Sequence, residues 1–229
     1  MPESKNNAGR RLHPLWDLPT RLFHWSVVAA VLVGWVSGEL GKLGPHMVVG
    51  QMVLALLVFR FAWGVVGSST ARFAQFVRGP LVVIAYLRMA RAGTPWPQPG
   101  HNPLGALSVL ALLGLLLLQA ATGLFANDDV ATDGPLVWLV SSKATAVLST
   151  LHRIGAKLLL ALVAVHVSAV MFYLLAKGDN LIRPMLTGVK AMPEAMAAKA
   201  MPFRSPVLAA VLLAIAVALV FGGVAVWGK

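Results

Sequence analysis

Two histidines, His152 and His166, stand 14 residues apart in an apolar run from about Ala144 to Ala176. In a helix that spacing is close to four turns, so the imidazoles fall within about 40° of one face and ~21 Å apart along the axis. A crossing helix needs about 20 mostly apolar residues, and this run exceeds that. Polar groups inside a membrane helix are costly to bury and point to function by default. Neutral imidazole is a common metal ligand. One helix thus offers ligands at two depths, half of a scaffold for two stacked cofactors.

The elements that must position them follow from composition. Of 229 residues, 58% are hydrophobic and 12% charged, the balance of a multi-span membrane protein. The absence of cysteine excludes disulfides, Cys-ligated iron–sulfur clusters and covalent c-type haem attachment. The net charge of +11 does not indicate nucleic acid, because the basic residues cluster in short segments between apolar runs, where they set topology.

Residues 1–18 read as an uncleaved polar, basic tail (Lys5, Arg10, Arg11), with His13 facing solvent or headgroups. The first span covers about 19–38, with Pro19 at a first helical position. His24 lies one turn inside it, and Arg21 lies three residues earlier on the same side. A short glycine-rich connection leads to the second span, 46–66, which opens at Pro45-His46. Arg60 lies 14 residues after His46 on nearly the same face, either snorkelling to a span end or partnering a buried anion. The basic connection 67–100 contains a segment, 80–92, that is too short to span and reads as an interfacial helix. A third span covers 102–125, with Asn102-Pro103 as cap and first-turn proline. His101, just outside it on a proline-flanked turn, reads as a capping or surface-facing residue. An acidic, turn-rich segment (Asp128, Asp129, Asp133) precedes the fourth span, 145–176. A basic connection, 178–205 (Arg183, Lys190, Lys199, Arg204), leads to a fifth apolar run in 206–229. The fold class expected is therefore all-α and integral to the membrane, with a core at 19–177 and an extra C-terminal transmembrane helix.

The odd-numbered gaps hold nearly all the basic residues, so the positive-inside rule places the N-terminus in the cytoplasm and Lys229 outside. Topology then pairs the histidines by depth: His24 with His166 toward the cytoplasm, His46 with His152 toward the outside. Facing imidazoles are how a helical bundle holds b-type haem iron. Zinc fits less well, since its sites need three or four protein ligands and no third ligand stands out at either level.

Several motifs, RLFHW at 21–25, HMVVGQ at 46–51, RFAWGVVGS at 60–68, ARFAQFVRGP at 71–80, GHNPLGA at 100–106, TG at 122–123 and LHRIGA…HV at 151–167, occur in an order that resembles the bacterial cytochrome b561 and nickel–iron-hydrogenase cytochrome b superfamily over roughly residues 14–190. The resemblance implies a four-helix membrane bundle in the bacterial inner membrane that carries two haem b groups. It implies electron transfer between the quinone pool and a redox partner such as a hydrogenase or cytochrome c. The family's axial ligands fall on His24, His46, His152 and His166, in agreement with the depth argument. Arg21 and Arg60 toward the cytoplasmic level, and Arg153 at the outer level, are expected to neutralise haem propionates. His101 is a guess for the quinone site. The fifth span lies outside the shared core. An electron-transfer subunit ranks ahead of a stand-alone quinone-coupled oxidoreductase such as a superoxide oxidase, which Lys42, Lys143 and Arg153 near the outer haem would favour. A non-redox membrane protein ranks third, and a homodimer stays open.

Overall fold

The computed structural model describes residues 10–94, 96–98, 100–194 and 203–228. The tail up to residue 9 with Lys5, Lys199 in the basic connection, and Lys229 lie outside the described residues. Five helices are long and apolar enough to cross a membrane: α1 (Leu18–Glu39), α2 (Leu43–Val66), α5 (Pro103–Gly123), α6 (Ser142–Ala176) and α8 (Pro206–Trp227). Between them lie the short α3 (Phe73–Phe76) and α7 (Ile182–Thr187), and α4 (Pro80–Arg91), with Leu81, Ile84 and Leu87 exposed and Arg88 and Arg91 in its last turn.

Local chemistry starts each long helix. Asp17 Oδ1 accepts from Thr20 N at 2.8 Å, with Pro19 behind it, to open α1. Asn102 Oδ1 accepts from Gly105 N at 2.8 Å ahead of Pro103 to open α5. Ser141 and Ser205 cap α6 and α8 in the same way. Each cap satisfies one of the amides that a helix start leaves without an intrahelical partner.

The helix α2 is the hub, packing on α1, α5 and α8, while α6 packs on α5. Val53 and Leu57 of α2 meet Leu113, Leu116 and Ala120 of α5 and Leu159 of α6 in one cluster. On the other flank, Phe59 and Trp63 of α2 meet Ala209 and Ala216 of α8. Lipid supplies no hydrophobic drive for helix association, so small residues that allow close approach matter there.

Strands β1 (Arg10–Pro14) and β2 (Val189–Pro193) form an antiparallel ribbon, with His13 opposite Lys190. The tail and the late connection had read as separate polar segments; here they pair. His13 is half-buried in this ribbon, its Nε2 3.7 Å from Glu194 Oε2. The ribbon marks one side of the bundle, the ribbon side, where α1, α5 and α8 begin and α2 and α6 end. Arg21 Nη1 and Trp25 Nε1 of α1 donate to Leu186 O and Met185 O, fastening α7 beneath the ribbon.

The 35-residue α6 is ~52 Å long, well beyond a ~30 Å hydrocarbon core. His152 lies against Gly123, the last residue of α5. Residues 142–151 therefore rise ~15 Å past that end, braced where Ser149 Oγ accepts from Asn127 N at 2.9 Å.

Candidate functional site

On the side opposite the ribbon, His46 and His152 face each other with ring centroids 5.9 Å apart and planes at 89°. Two imidazoles bound to one metal at ~2 Å each would have centroids about 6 Å apart, so the spacing fits a shared ion. The hydrogen bonds fit as well. A carbonyl can only accept, so His46 Nδ1, 2.8 Å from Gly34 O, carries its ring proton. The same holds for His152 Nδ1, 3.0 Å from Gln119 O. Both rings thus leave Nε2 unprotonated, the tautomer a ligand needs. At 3.2 Å, the Gln119 amide Nε2 meets the Nε2 lone pair on His152 as a donor, and has to swing aside for a metal to bind.

Glycines make this arrangement possible. A Cβ on Gly123 would lie 2.9 Å from His152 Cε1, and one on Gly38 would lie 3.2 Å from His46 Nδ1. A Cβ on Gly155 would meet Gln119 Oε1 at 2.5 Å. Three glycines therefore hold open the space beside the two rings and the amide that steadies one of them. Gly123 and Gly155 belong to motifs noted in the sequence; their contact with the histidine neighbourhood required the fold.

On the ribbon side, His24 and His166 lie within electrostatic range of one another, but among the described residues no ring contact joins them. His24 Nδ1 is buried without a hydrogen-bond partner. A third imidazole joins them. The ring of His101 lies between Trp16 at 4.8 Å and Phe76 at 5.0 Å, in electrostatic range of Arg60, His166 and His24. The expectation of a capping or surface-facing His101 is corrected: Asn102 supplies the cap, and His101 turns inward onto aromatic rings. Burial, with the charge of Arg60 second, pushes its pKa down to about 4, so it is a neutral imidazole at pH 7. Sequence reasoning missed this because Trp16 and Phe76 are distant in the chain; the GHN motif was the available signal.

Arg60 is only 4% exposed, which removes the snorkelling alternative. Its guanidinium carbon lies 4.8 Å from the Phe73 ring centroid and 6.0 Å from that of Phe23, with Asp17 in electrostatic range. The Asp17 carboxylate, 2% exposed, is bound by Thr20 N and, at 3.0 Å, by Trp63 Nε1. Arg21 is committed to Leu186 O, and Arg153 is exposed beside Thr150.

Comparison with known proteins agrees with these motifs. The sequence model of the family described as prokaryotic cytochrome b561 matches residues 15–188. No curated protein and no solved structure matches the chain.

Proposed function

The chain belongs to the prokaryotic cytochrome b561 family, and from that premise we propose that it carries two b-type haems, one per histidine pair, and passes electrons between the quinone pool and a redox partner protein. The family itself implies haem b, a multi-pass bacterial membrane protein and electron transfer across the membrane. Haem b held by two imidazoles keeps no open iron position and so supplies one-electron transfer when bound.

The residues divide the work. His46 and His152 would hold the group on the side opposite the ribbon, with Gly34 O and Gln119 O fixing ring orientation and raising ligand basicity. His24 and His166 would hold the ribbon-side group. The excess of basic residues on the ribbon side, among them Arg72, Arg78, Arg88, Arg91, Lys177 and Arg183, supports a cytoplasmic ribbon.

The observation that carries the reading is the facing of His46, on α2, and His152, on α6, with ring centroids 5.9 Å apart. A pyridine-haemochrome assay and a reduced-minus-oxidised spectrum test it on full-length protein in mild detergent. Two b haems per chain in the wild type and one in His152→Ala are expected. One haem indifferent to His152, or none, sinks the pairing.

A second reading draws on the exposed cations Lys42, Lys143 and Arg153 on the side of the bundle that holds the His46–His152 pair: a quinone-coupled oxidoreductase for a small anion such as superoxide. Haem reduction by superoxide that falls on charge reversal of these residues would favour it over a protein donor.

A further inference from the structure

Resting on the two-haem reading, we infer that Arg60 and His101 form a buried two-point receptor for one carboxylate of the ribbon-side cofactor. Arg60 Nη1 and His101 Nδ1 are both buried without a hydrogen-bond partner. A buried donor left unmet is destabilising, and more so when it is charged, so a retained pair of this kind implies an acceptor. The chain does not provide one: among the described residues the only ion pairs are His13–Glu194 and Lys190–Asp179. The carboxylate of Asp17, the acid within range, already receives Thr20 N and Trp63 Nε1.

The surroundings select the ligand class. A continuous set of rings links the two donors: Arg60 over Phe73, Phe73 to Phe76 at 5.7 Å, Phe76 to His101, and His101 to Trp16. An acid group carried on a flat apolar body suits such walls better than a hydrated free ion. A planar carboxylate also matches the guanidinium fork, and the neutral imidazole of His101 can donate one further hydrogen bond. His101 lies in range of both ribbon-side histidines and of Arg60, and haem b carries carboxylates. At the other pair, Lys42, Lys143 and Arg153 are exposed. The carboxylate receptor is thus specific to one of the two sites. Arg21 also keeps a buried Nε without a partner, but it donates through Nη1 to Leu186 O, and it is Arg60 that the ring path joins to His101.

The test uses the full chain purified with its haem, as wild type, Arg60→Met, Arg60→Lys and His101→Phe. The last keeps a ring between Trp16 and Phe76. Resonance Raman reports the propionate-bending bands, and redox titration reports the two midpoints. In Arg60→Met one of the two haems is expected to shift its propionate band and titrate at lower potential, or to be lost, while the other stays unchanged. His101→Phe should shift the same band, and Arg60→Lys should restore part of the potential. Unchanged band and midpoint in Arg60→Met with both haems present would overturn the inference. So would an effect of Arg60→Met seen in anionic-lipid nanodiscs and absent in phosphatidylcholine nanodiscs, which would assign the site to a lipid phosphate. If Arg60→Met does not fold, His101→Phe decides by the same band. A wild type without haem would instead refute the underlying two-haem reading.

Discussion

Replacing Gly123 by alanine should loosen one cofactor site while leaving the helix that carries the change intact. Its φ is not in the left-handed region, so alanine is conformationally allowed and gains up to ~1 kcal/mol in helix propensity. The new methyl, however, would lie 2.9 Å from His152 Cε1 and 3.2 Å from Nδ1. Comfortable contact between carbons is ~3.5–4.0 Å, so the ring must withdraw by roughly 0.6–1 Å. The edge pushed is the one bound to Gln119 O at 3.0 Å, and a withdrawal of that size takes the bond past the useful range. It also disturbs the 5.9 Å spacing from His46. Loss of such an orienting bond costs about 10–100-fold in affinity for the bound metal group, or ~1.4–2.7 kcal/mol. Transfer of haem to excess apomyoglobin, followed by absorbance, measures the loss. One of two haems should leave faster, with an unchanged or higher melting temperature. Gly38→Ala is the graded control, since its methyl would approach His46 at 3.2–3.3 Å and require only a few tenths of an ångström. Wild-type haem retention in Gly123→Ala would refute the argument that the glycine exists to seat His152.

Three further outcomes are expected. Asp17→Ala should lower stability by about 1 kcal/mol for the lost cap plus about 1–3 kcal/mol for the stranded Trp63 indole, whereas Asp17→Asn, whose single acceptor oxygen can serve Thr20 N or Trp63 Nε1 but not both, should recover only part of that loss; melting in detergent checks both. Gly64→Ala would drive a methyl into the Phe73 ring, at a cost of about 1–3 kcal/mol for overpacking, and should shift the ribbon-side haem spectrum because Phe73 supports Arg60. The amides of Thr132, Val130 and Ala131, at 2.9 Å each, hold the Asp128 carboxyl down at about 2. A depressed carboxyl stabilises the loop above the unfolded pKa of about 4 and loses that contribution as pH falls from there through 2; amide exchange at these residues should accelerate over that window, and Asp128→Asn should remove the pH dependence.

The sequence made the helices and the depth of their histidines legible for a physical reason: a bilayer fixes span length, and two fixed ends fix the level of every residue between them. His46 and His152, 106 residues apart in the chain, could be matched on that rule. Depth says nothing about rotation or side-chain reach, and there the reading stopped. His101 looked peripheral because a proline turn precedes α5, yet Trp16 and Phe76 enclose it from distant segments. Arg60 stood between two readings until Phe23 and Phe73 were seen around its guanidinium. The ribbon joins segments 175 to 183 residues apart, and its strands show no alternation strong enough to announce a pair. Asp17 gave no signal of the Trp63 bond, which belongs to the packing of α1 on α2.

The two histidine levels are built on different principles. Opposite the ribbon, backbone carbonyls orient both rings and glycines clear the space around them, so each ring has its Nδ1 proton satisfied by the chain with the rings already 5.9 Å apart. At the ribbon, His24, His101 and Arg60 leave donors unmet inside aromatic walls, an arrangement that becomes complete only around an acidic guest. One level is therefore set mainly by shape and the other by charge. Substitutions that alter volume, such as Gly123→Ala, should discriminate against the first level, and substitutions that alter charge at constant shape, such as Arg60→Met, against the second. If the two kinds of variant instead affected both haems alike, the levels would be coupled through α2, the hub helix that carries both His46 and Arg60, and their independence would fail.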